Sequence, residues 1–260
     1  MLDMNELLGM KGKTVIVTGS GSGIGAGTSK FFAEAGCRVM LVDHNVPHLK
    51  ENTAALLAEG LDVCWHECDA ATMSDAQKTA DDAYALWGRI DCLVNCVGAT
   101  QRATVEDLKE SDWDRVIDIT LKSVYLMCHC VVPYMKKQGH GKIVNIGSGW
   151  SLKGGDKAVS YCASKGGVWN MTRALAIDCG PYNINVNCVC PGDIDTKMLR
   201  HECEQLGGVY DESFKKACAQ RPIARLGTPR DVAMCVFFLC SEMAPWVTGS
   251  SLVVDGGGIA

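Results

Sequence analysis

A serine, a tyrosine and a lysine in one short stretch of the chain could together move a proton. Ser148 follows the apolar run 142–146, and Tyr161 and Lys165 come shortly after it. The composition of residues 160–178 predicts a helix, on which Tyr161 and Lys165 lie at i and i+4 on one face. An ammonium beside a phenol favours the phenolate and lowers a pKa that is ordinarily ~10. Such a tyrosine can exchange a proton with a hydroxyl that loses or gains a hydride, while Ser148 holds the substrate oxygen.

The spacing Tyr-x-x-x-Lys alone also describes an ordinary pair on a helix surface, so the surrounding elements decide between the two interpretations. A buried β-branched run at 13–18 leads into a glycine-rich loop and then into a predicted helix that ends near residue 35. Glycines let a backbone approach a pyrophosphate, and a helix N-terminus offers free N–H groups and a positive dipole. This order predicts a dinucleotide site, with a merely flexible loop as the alternative. The candidate ligands in the loop are Gly19, Ser22, Gly23, Ile24 and Gly25.

The second predicted strand ends at Asp43, at the spacing from the glycine loop where a carboxylate can bind the adenosine ribose. Such a carboxylate also repels a 2′-phosphate. Because neither the glycine loop nor His44 and Asn45 supplies a firm positive charge, the sequence predicts NAD(H) rather than NADP(H). The alternative is an aspartate that caps the helix beginning near Pro47.

Strands and helices alternate along the whole chain. The predicted strands are 13–18, 38–42, 63–68, 91–95, 142–146, 184–189 and 251–254, and the later predicted helices are 47–59, 74–87, 113–137, 160–178 and 229–239. This alternation predicts an α/β fold, a single-domain, doubly wound Rossmann-type parallel sheet of about seven strands flanked by helices, over residues 1–260. Ligands bind at the carboxyl ends of such strands, where Gly19, Asp43, Asp69, Asn95, Ser148 and Pro191 all fall. The more charged segment 193–221 interrupts the pattern and is predicted to cover the substrate.

Composition excludes several classes of function. The chain has 260 residues, 47% of them hydrophobic, which is enough to bury a large core. Its net charge of −5 argues against a nucleic-acid partner. No apolar run approaches the ~18 residues of a membrane span, and residues 1–13 do not resemble a signal peptide. We therefore expect a cytoplasmic protein that does not bind membranes.

Fifteen cysteines raise the question of a disulfide framework or a metal site. Disulfide frameworks belong to small secreted chains, which this is not. The best metal candidate is Cys64-x-His66-x-Cys68, but no fourth ligand or tight Cys-x-x-Cys pair accompanies it. We therefore expect no metal, and thiols that serve as small buried hydrophobic groups in a reducing interior.

The chain resembles the short-chain dehydrogenase/reductase family over essentially its whole length. The matching motifs are Thr18-Gly19-x-x-x-Gly23-Ile24-Gly25, Asp69, Asn95-x-x-Gly98, Ser148, Tyr161-x-x-x-Lys165 and Pro191-Gly192-x-Ile194-x-Thr196. The resemblance implies that Tyr161 is the acid/base group, that Lys165 tunes its pKa and binds the ribose, and that Ser148 anchors the substrate oxygen. It also implies that Asp69 faces the adenine and that Ile194 and Thr196 hold the nicotinamide carboxamide. The remaining cofactor-binding candidates are Ala70, Asn95, Gly98 and Pro191. A homotetramer is implied as well, through helices near 111–137 and 159–179.

Two positions depart from the family pattern. The family usually has Asn-Asn-Ala-Gly where this chain has Asn95-Cys96-Val97-Gly98. Thr120 stands where the family usually has an asparagine that helps hold a water between Lys165 and solvent. Because a backbone carbonyl can hold such a water, we expect the relay to survive and count Thr120 as the fourth catalytic candidate.

These observations predict an NAD(H)-dependent oxidoreductase that interconverts a secondary alcohol and a ketone, with the cofactor carrying the hydride. A ring-bearing hydroxy compound, such as a hydroxysteroid or bile acid, is the favoured substrate. A polyol or a sugar is the alternative. A hydroxy acid is another, since Arg102 with Lys153 could hold its anionic group. The rival from another class is a dinucleotide sensor without catalysis, although such a protein would be expected to lose the serine, tyrosine or lysine. The predicted lid residues are Met198, Leu199, Leu206, Val209, Tyr210 and Phe214.

Overall fold

Seven parallel strands form the centre of the structure, a computed structural model that describes residues 8–260. The strands are β1 (Thr14–Thr18), β2 (Arg38–Asp43), β3 (Val63–Glu67), β4 (Cys92–Asn95), β5 (Gly141–Ile146), β6 (Ile184–Pro191) and β7 (Ser251–Val254). Their order in the sheet is β3-β2-β1-β4-β5-β6-β7. The chain therefore winds outward in one direction from β1 and in the other from β4, and a crevice forms where the direction changes. The predicted doubly wound parallel sheet is confirmed.

Helices cover both faces of this sheet. They are α1 (Gly23–Glu34), α2 (Val46–Ala58), α3 (Met73–Trp87), α4 (Glu110–Ile117), α5 (Ser123–Gln138), α6 (Val159–Cys179), α7 (Lys197–Gln205), α8 (Glu212–Cys218) and α9 (Pro229–Cys240). One apolar layer lies between the sheet and α1, α2 and α9, and the other lies between the sheet and α3, α5 and α6. Each layer buries one face of every central strand.

The strand β1 illustrates why the sequence folds in this way. Val15 and Val17 point into the layer of α1, α2 and α9, whereas Ile16 points into the opposite layer. Successive side chains of a strand alternate between the two faces of a sheet. Because helices cover both faces, every position of β1 is buried and the strand appears in the sequence as a continuous β-branched run.

Two parts of the helical prediction differ from the structure. The single helix predicted at 113–137 consists of α4 and α5 joined by the π-helical turn Asp118–Lys122. The segment 193–221, for which we predicted no helix, contains α7, which Thr196 caps, and α8, which Asp211 caps. Both helices are short and contain few apolar residues, so they give only a weak helix signal in the sequence.

The continuous helical stretch Glu110–Gln138 has the length and the apolar composition needed to cross a membrane, contrary to our expectation from the sequence. Half of its most apolar window is buried inside the protein. There α5 contributes residues such as Met127, Val131 and Met135 to the core. Packing in the core thus accounts for much of its apolar character.

All fifteen cysteines lie in the described part of the chain and are free thiols, either buried or half-buried. Burial raises the pKa of Cys68 to about 11 and that of Cys128 to about 12. The expectation that the thiols act as small core residues is met. Among residues 8–260, no group of three or more His, Cys, Asp or Glu side chains could hold a metal ion.

Candidate active site

The glycine loop after β1 forms one wall of a cavity of about 580 Å³ at the carboxyl edge of the sheet. Gly19 and Gly23 have φ angles of +71° and +55°, a backbone region that favours glycine. A Cβ atom on Gly25 would lie 2.1 Å from the Gly19 carbonyl oxygen, so only glycine lets α1 start so close to the loop. Ser22 precedes α1 and makes no side-chain cap hydrogen bond. The loop and the helix N-terminus therefore leave donors free for a phosphate.

Asp43 lies in the same cavity at the end of β2. Its Oδ2 accepts a hydrogen bond from the Gly21 N–H at 2.8 Å, and its Oδ1 accepts one from the Asn45 N–H at 2.8 Å. These bonds hold the carboxylate against the glycine loop. The alternative role as a helix cap is wrong, since Asn45 is the residue that caps α2 by accepting from the His48 N–H.

The other predicted cofactor residues divide into two groups. Asp69, Ala70 and Gly98 line the cavity of the glycine loop together with Gly19, Ser22, Gly23, Ile24, Gly25 and Asp43. Asn95 lines neither this cavity nor its neighbour. Its Nδ2 donates to Asn145 at 2.9 Å, and Asn145 in turn donates to Thr172, so this buried chain ties β4 and β5 to α6. In this structure the side chain of Asn95 joins neighbouring elements, and its cofactor contact stays a prediction.

A second cavity, of about 210 Å³, adjoins the first and contains Ser148, Tyr161 and Lys165. Pro191 and Ile194 also line it. The two cavities share the lining residues Ile24, Cys96, Gly98, Thr196 and Met198. A ligand that extends from the glycine loop therefore reaches the serine, the tyrosine and the lysine.

Ser148 is held rigidly at the end of β5. Its Oγ accepts a hydrogen bond from the Trp150 N–H at 3.1 Å, and its own N–H donates to the Ser151 Oγ at 3.0 Å. Ser151 then donates to the Lys165 carbonyl oxygen at 2.9 Å. This chain connects the serine loop to α6 and fixes the distance between Ser148 and Tyr161.

Tyr161 and Lys165 are both nearly fully buried, with exposed fractions of 8% and 3%. Burial raises the pKa of Tyr161, the negative charge of Glu202 raises it further, and the hydrogen bond with Ser148 lowers it. This direction corrects the expectation of a lowered pKa. Lys165 donates from Nζ to the Ile146 carbonyl oxygen at 2.6 Å, with its Nζ 5.8 Å from the centre of the Tyr161 ring. Burial lowers the pKa of Lys165 itself to about 8.

Thr120 lies in the π-helical turn and is fully buried. Its hydroxyl accepts from the Ala99 N–H at 3.0 Å and donates to the Ala99 carbonyl oxygen at 3.1 Å. It lines neither cavity. The side chain therefore secures the loop after β4, and any contribution to a proton relay falls to the backbone of the turn.

The sequence analysis missed Glu202, which lines the second cavity from α7. Arg102, which we expected to hold an anionic substrate group, does not line the cavity and is instead paired with Glu202. A second pair joins the buried Arg221 to the more exposed Asp193, and both residues line the cavity. These partners lie far apart in the sequence, so no local spacing could have indicated them.

The predicted lid residues also divide. Met198 and Leu199 line the second cavity, as do the more distant Arg221 and Ile259. By contrast, Val209 is 74% exposed, and the Tyr210 hydroxyl donates to Asp195 at 2.7 Å. Of the six predicted lid residues, only the two in the first turn of α7 reach the site.

Known proteins resemble this chain over nearly its full length. A sequence model of the family described as Enoyl-(Acyl carrier protein) reductase matches residues 19–258. The 3-oxoacyl-[acyl-carrier-protein] reductase FabG of Thermotoga maritima is 37% identical, over 95% of this chain and 98% of its own. An NAD-dependent glycerol dehydrogenase of Listeria innocua is 35% identical, over 94% of this chain and 93% of its own. The crystal structure of a levodione reductase superposes with a TM-score of 0.89 at 30% identity, covering 95% of this chain and 97% of that one.

Proposed function

We propose that this chain, which belongs to the short-chain dehydrogenase/reductase family, interconverts a secondary alcohol and a ketone with NAD(H) as its cofactor. The observation that carries the proposal is the meeting of Ser148, Tyr161 and Lys165 in one cavity that opens into the glycine-loop cavity. When bound, the nicotinamide supplies or accepts the hydride. The protein must then orient the substrate and move one proton.

Tyr161 is the group that moves this proton. In alcohol oxidation its phenolate oxygen takes the hydroxyl proton, and in ketone reduction its hydroxyl returns one. Trp150 and Ser151 hold Ser148 in place, so that its hydroxyl can bind the substrate oxygen beside Tyr161. Lys165 supplies a positive charge within the same buried space, which favours the phenolate once the ammonium turns from the Ile146 carbonyl towards the site.

Asp43 supports the choice of NAD(H) over NADP(H). Its carboxylate is locked against the glycine loop by two backbone N–H groups, in the place where a ribose hydroxyl can donate to it and a 2′-phosphate is repelled. The glycerol dehydrogenase relative, which is described as NAD-dependent, agrees with this assignment.

Two substrate classes fit the second cavity. Trp150, Leu199 and Ile259 offer apolar surface for the ring-bearing hydroxy compound that the sequence favoured. Glu202, Asp193 and Lys153 offer polar groups for a polyol or sugar, and the similarity to a glycerol dehydrogenase supports this second class. We propose the polyhydroxy class first, because a purely apolar ring would offer no hydrogen-bond donor to the Glu202 oxygen that Arg102 does not bind.

We also propose that the segment 193–221 closes over the substrate and that the protein is a cytoplasmic homotetramer. The free thiols support a reducing compartment. The half-exposed Tyr125 on α5 and the exposed Ile177 on α6 support pairing of these helices between subunits. The strand β7 lies at the edge of the sheet, where another copy could cover it.

The test is a screen of secondary alcohols with NAD⁺ and NADP⁺, in which the absorbance of the reduced nicotinamide measures turnover. We expect turnover with NAD⁺ that Lys165→Ala abolishes. Tight binding of NADH without oxidation of any alcohol would instead support the dinucleotide sensor.

A further inference from the structure

A carboxylate and a guanidinium form a buried pair beside the acid/base tyrosine. Arg102 donates from Nη1 to the Glu202 Oε2 at 3.1 Å, and the exposed fractions of the two side chains are 8% and 13%. Arg102 also donates to the Asp156 carbonyl oxygen at 2.6 Å and stacks over Trp150, with its Cζ 4.8 Å from the ring centre. The guanidinium is therefore fixed on three sides and holds the carboxylate in one orientation.

The other oxygen of this carboxylate is not used by the protein. Within residues 8–260, no side chain or backbone group donates to the Glu202 Oε1, while Oε2 is bound by Arg102. Oε1 is also not sealed inside the protein, so a ligand can reach it. Glu202 lines the cavity of Tyr161, and its charge acts on the tyrosine hydroxyl. A fixed acceptor thus faces the place where a substrate must sit.

The charges around the cavity indicate what kind of group this acceptor can bind. The lining contains three carboxylates and three cations, Asp193, Glu202, Asp255, Lys153, Lys165 and Arg221. An anionic group offers only acceptors and cannot donate to Oε1, and an ammonium would place a second cation beside a carboxylate that Arg102 already neutralises. A neutral hydroxyl can donate to Oε1 without disturbing the pair, and a hydrogen bond to a charged acceptor is one of the stronger kinds.

We propose that Glu202 is a specificity-determining residue that accepts a hydrogen bond from a second hydroxyl, one or two carbons from the reacting carbon. Arg102 is its positioning residue. The preferred substrates are then polyhydroxylated alcohols, and a compound with a single hydroxyl leaves the buried acceptor without a donor. This inference rests on the proposed alcohol dehydrogenase function and deepens it.

The experiment compares alcohols that differ by one hydroxyl. The pairs are 2,3-butanediol against 2-butanol and trans-1,2-cyclohexanediol against cyclohexanol, so the result does not depend on a chain or a ring skeleton. We expect the parent enzyme to prefer the diol in kcat/KM in at least one pair. Glu202→Gln should lower that preference by about 10- to 100-fold, the range of a hydrogen bond to a charged group. The quantity compared is the ratio of kcat/KM within each pair, so an effect of the substitution on Tyr161 that is common to both alcohols cancels.

Two variants serve as controls on folding and geometry. Glu204→Gln makes the same chemical change on the same helix at a side chain that is 60% exposed and outside the cavity, so it should retain the preference. Glu202→Asp keeps the charge but withdraws it by one methylene, and should lose part of the preference. Calorimetric titration of 2,3-butanediol into the Tyr161→Phe variant loaded with NAD⁺ measures the same contact without turnover, and adding Glu202→Gln should weaken this binding.

The outcomes separate the two proposals. Equal use of both alcohols in each pair, or an equal loss for both in a folded Glu202→Gln variant, overturns the role of Glu202 and leaves the dehydrogenase function standing. If the parent oxidises none of the four alcohols, nor any alcohol in a wider screen, the dehydrogenase function itself fails, and the role of Glu202 fails with it.

Discussion

The two neighbouring cavities at the carboxyl edge of the sheet are built in different ways. The glycine-loop cavity is formed largely by residues that directly follow β1, β2, β3 and β4. The cavity of Tyr161 gathers residues from β5, α6, α7 and the C-terminal segment beyond β7. The first uses the backbone groups of the glycine loop and carboxylates such as that of Asp43. The second uses side chains, several of them charged and buried.

Because of this difference, we expect the glycine-loop cavity to bind the cofactor and the cavity of Tyr161 to carry out the reaction. Backbone N–H groups next to glycines bind phosphate in any protein that has the same turn, so the first cavity needs few special side chains. The second cavity brings Lys165 and Glu202 close to Tyr161, and burial shifts the pKa of each of them. Groups with shifted pKa values are typical of sites that transfer protons. Substitutions in the glycine-loop cavity should therefore change cofactor binding, whereas substitutions in the cavity of Tyr161 should lower the rate of the reaction.

Tyr161→Phe should have the largest effect. It keeps the ring but removes the atom that we propose transfers the proton, and acid/base groups contribute roughly 10²–10⁴-fold in rate. The Kd for NADH, measured by fluorescence, should stay near that of the parent because the glycine-loop cavity is untouched. A folded variant within about tenfold of the parent rate would place the chemistry elsewhere.

Lys165→Met should stabilise the protein while it inactivates it. Lys165 is charged in the unfolded chain, whereas burial lowers its pKa to about 8 in the folded protein. Below pH 8 the buried charge of Lys165 thus destabilises the folded protein. This destabilisation fades as the pH rises towards ~10.5, the pKa of the lysine in the unfolded chain. We expect the free energy of unfolding to rise by about 1–3 kcal/mol at pH 7. Urea titrations at pH 7 and pH 10 should show the gain shrinking, and a gain independent of pH would contradict this cause.

Asp43→Ala should change the choice of cofactor without changing the chemistry. Loss of a charged acceptor for the ribose should reduce the ratio of kcat/KM for NAD⁺ over NADP⁺ by about 10- to 100-fold. The exposed Asp62→Ala, at the start of β3, provides a matched control. Equal use of both cofactors by the parent protein would remove the basis for the prediction.

Thr120→Ala should affect stability more than activity. It leaves the Ala99 N–H and carbonyl groups without their partner, which should lower the free energy of unfolding by about 1–3 kcal/mol. Thr120→Ser keeps the hydroxyl and should retain most of the parent's free energy of unfolding. Thr120→Asn should be tolerated. A loss of activity as deep as that of Tyr161→Phe would show that the side chain takes part in the relay.

The smallest effect concerns pH. Alcohol oxidation requires the phenolate of Tyr161, so its rate should rise with pH. Because the charge of Glu202 raises the pKa of Tyr161, Glu202→Gln should move this rising limb to lower pH. A kcat/KM profile of a simple secondary alcohol measures the shift, with Glu204→Gln as the control that leaves it in place. An unchanged profile would mean that Glu202 and Tyr161 are not coupled.

Much of the glycine-loop cavity could be predicted from the sequence, because most residues that line it lie within a few positions of the end of a strand. Asp43 was expected at the end of β2 and is found there against the glycine loop. Asn95 shows the limit of such reasoning. Its place at the end of β4 suggested a cofactor contact, but only the sheet order shows that it meets Asn145 on the neighbouring β5 and bonds there instead.

The sequence by itself determined the fold class, the glycine loop and the serine, tyrosine and lysine, since periodicity and short spacings express them directly. The tertiary structure decided which charges meet. Arg102 and Glu202 are brought together by the packing of α7 against the loop after β4, and the burial that raises the pKa of Tyr161 depends on every element around it. Local propensity carries no record of such long-range contacts, on which the proposed specificity of the site depends.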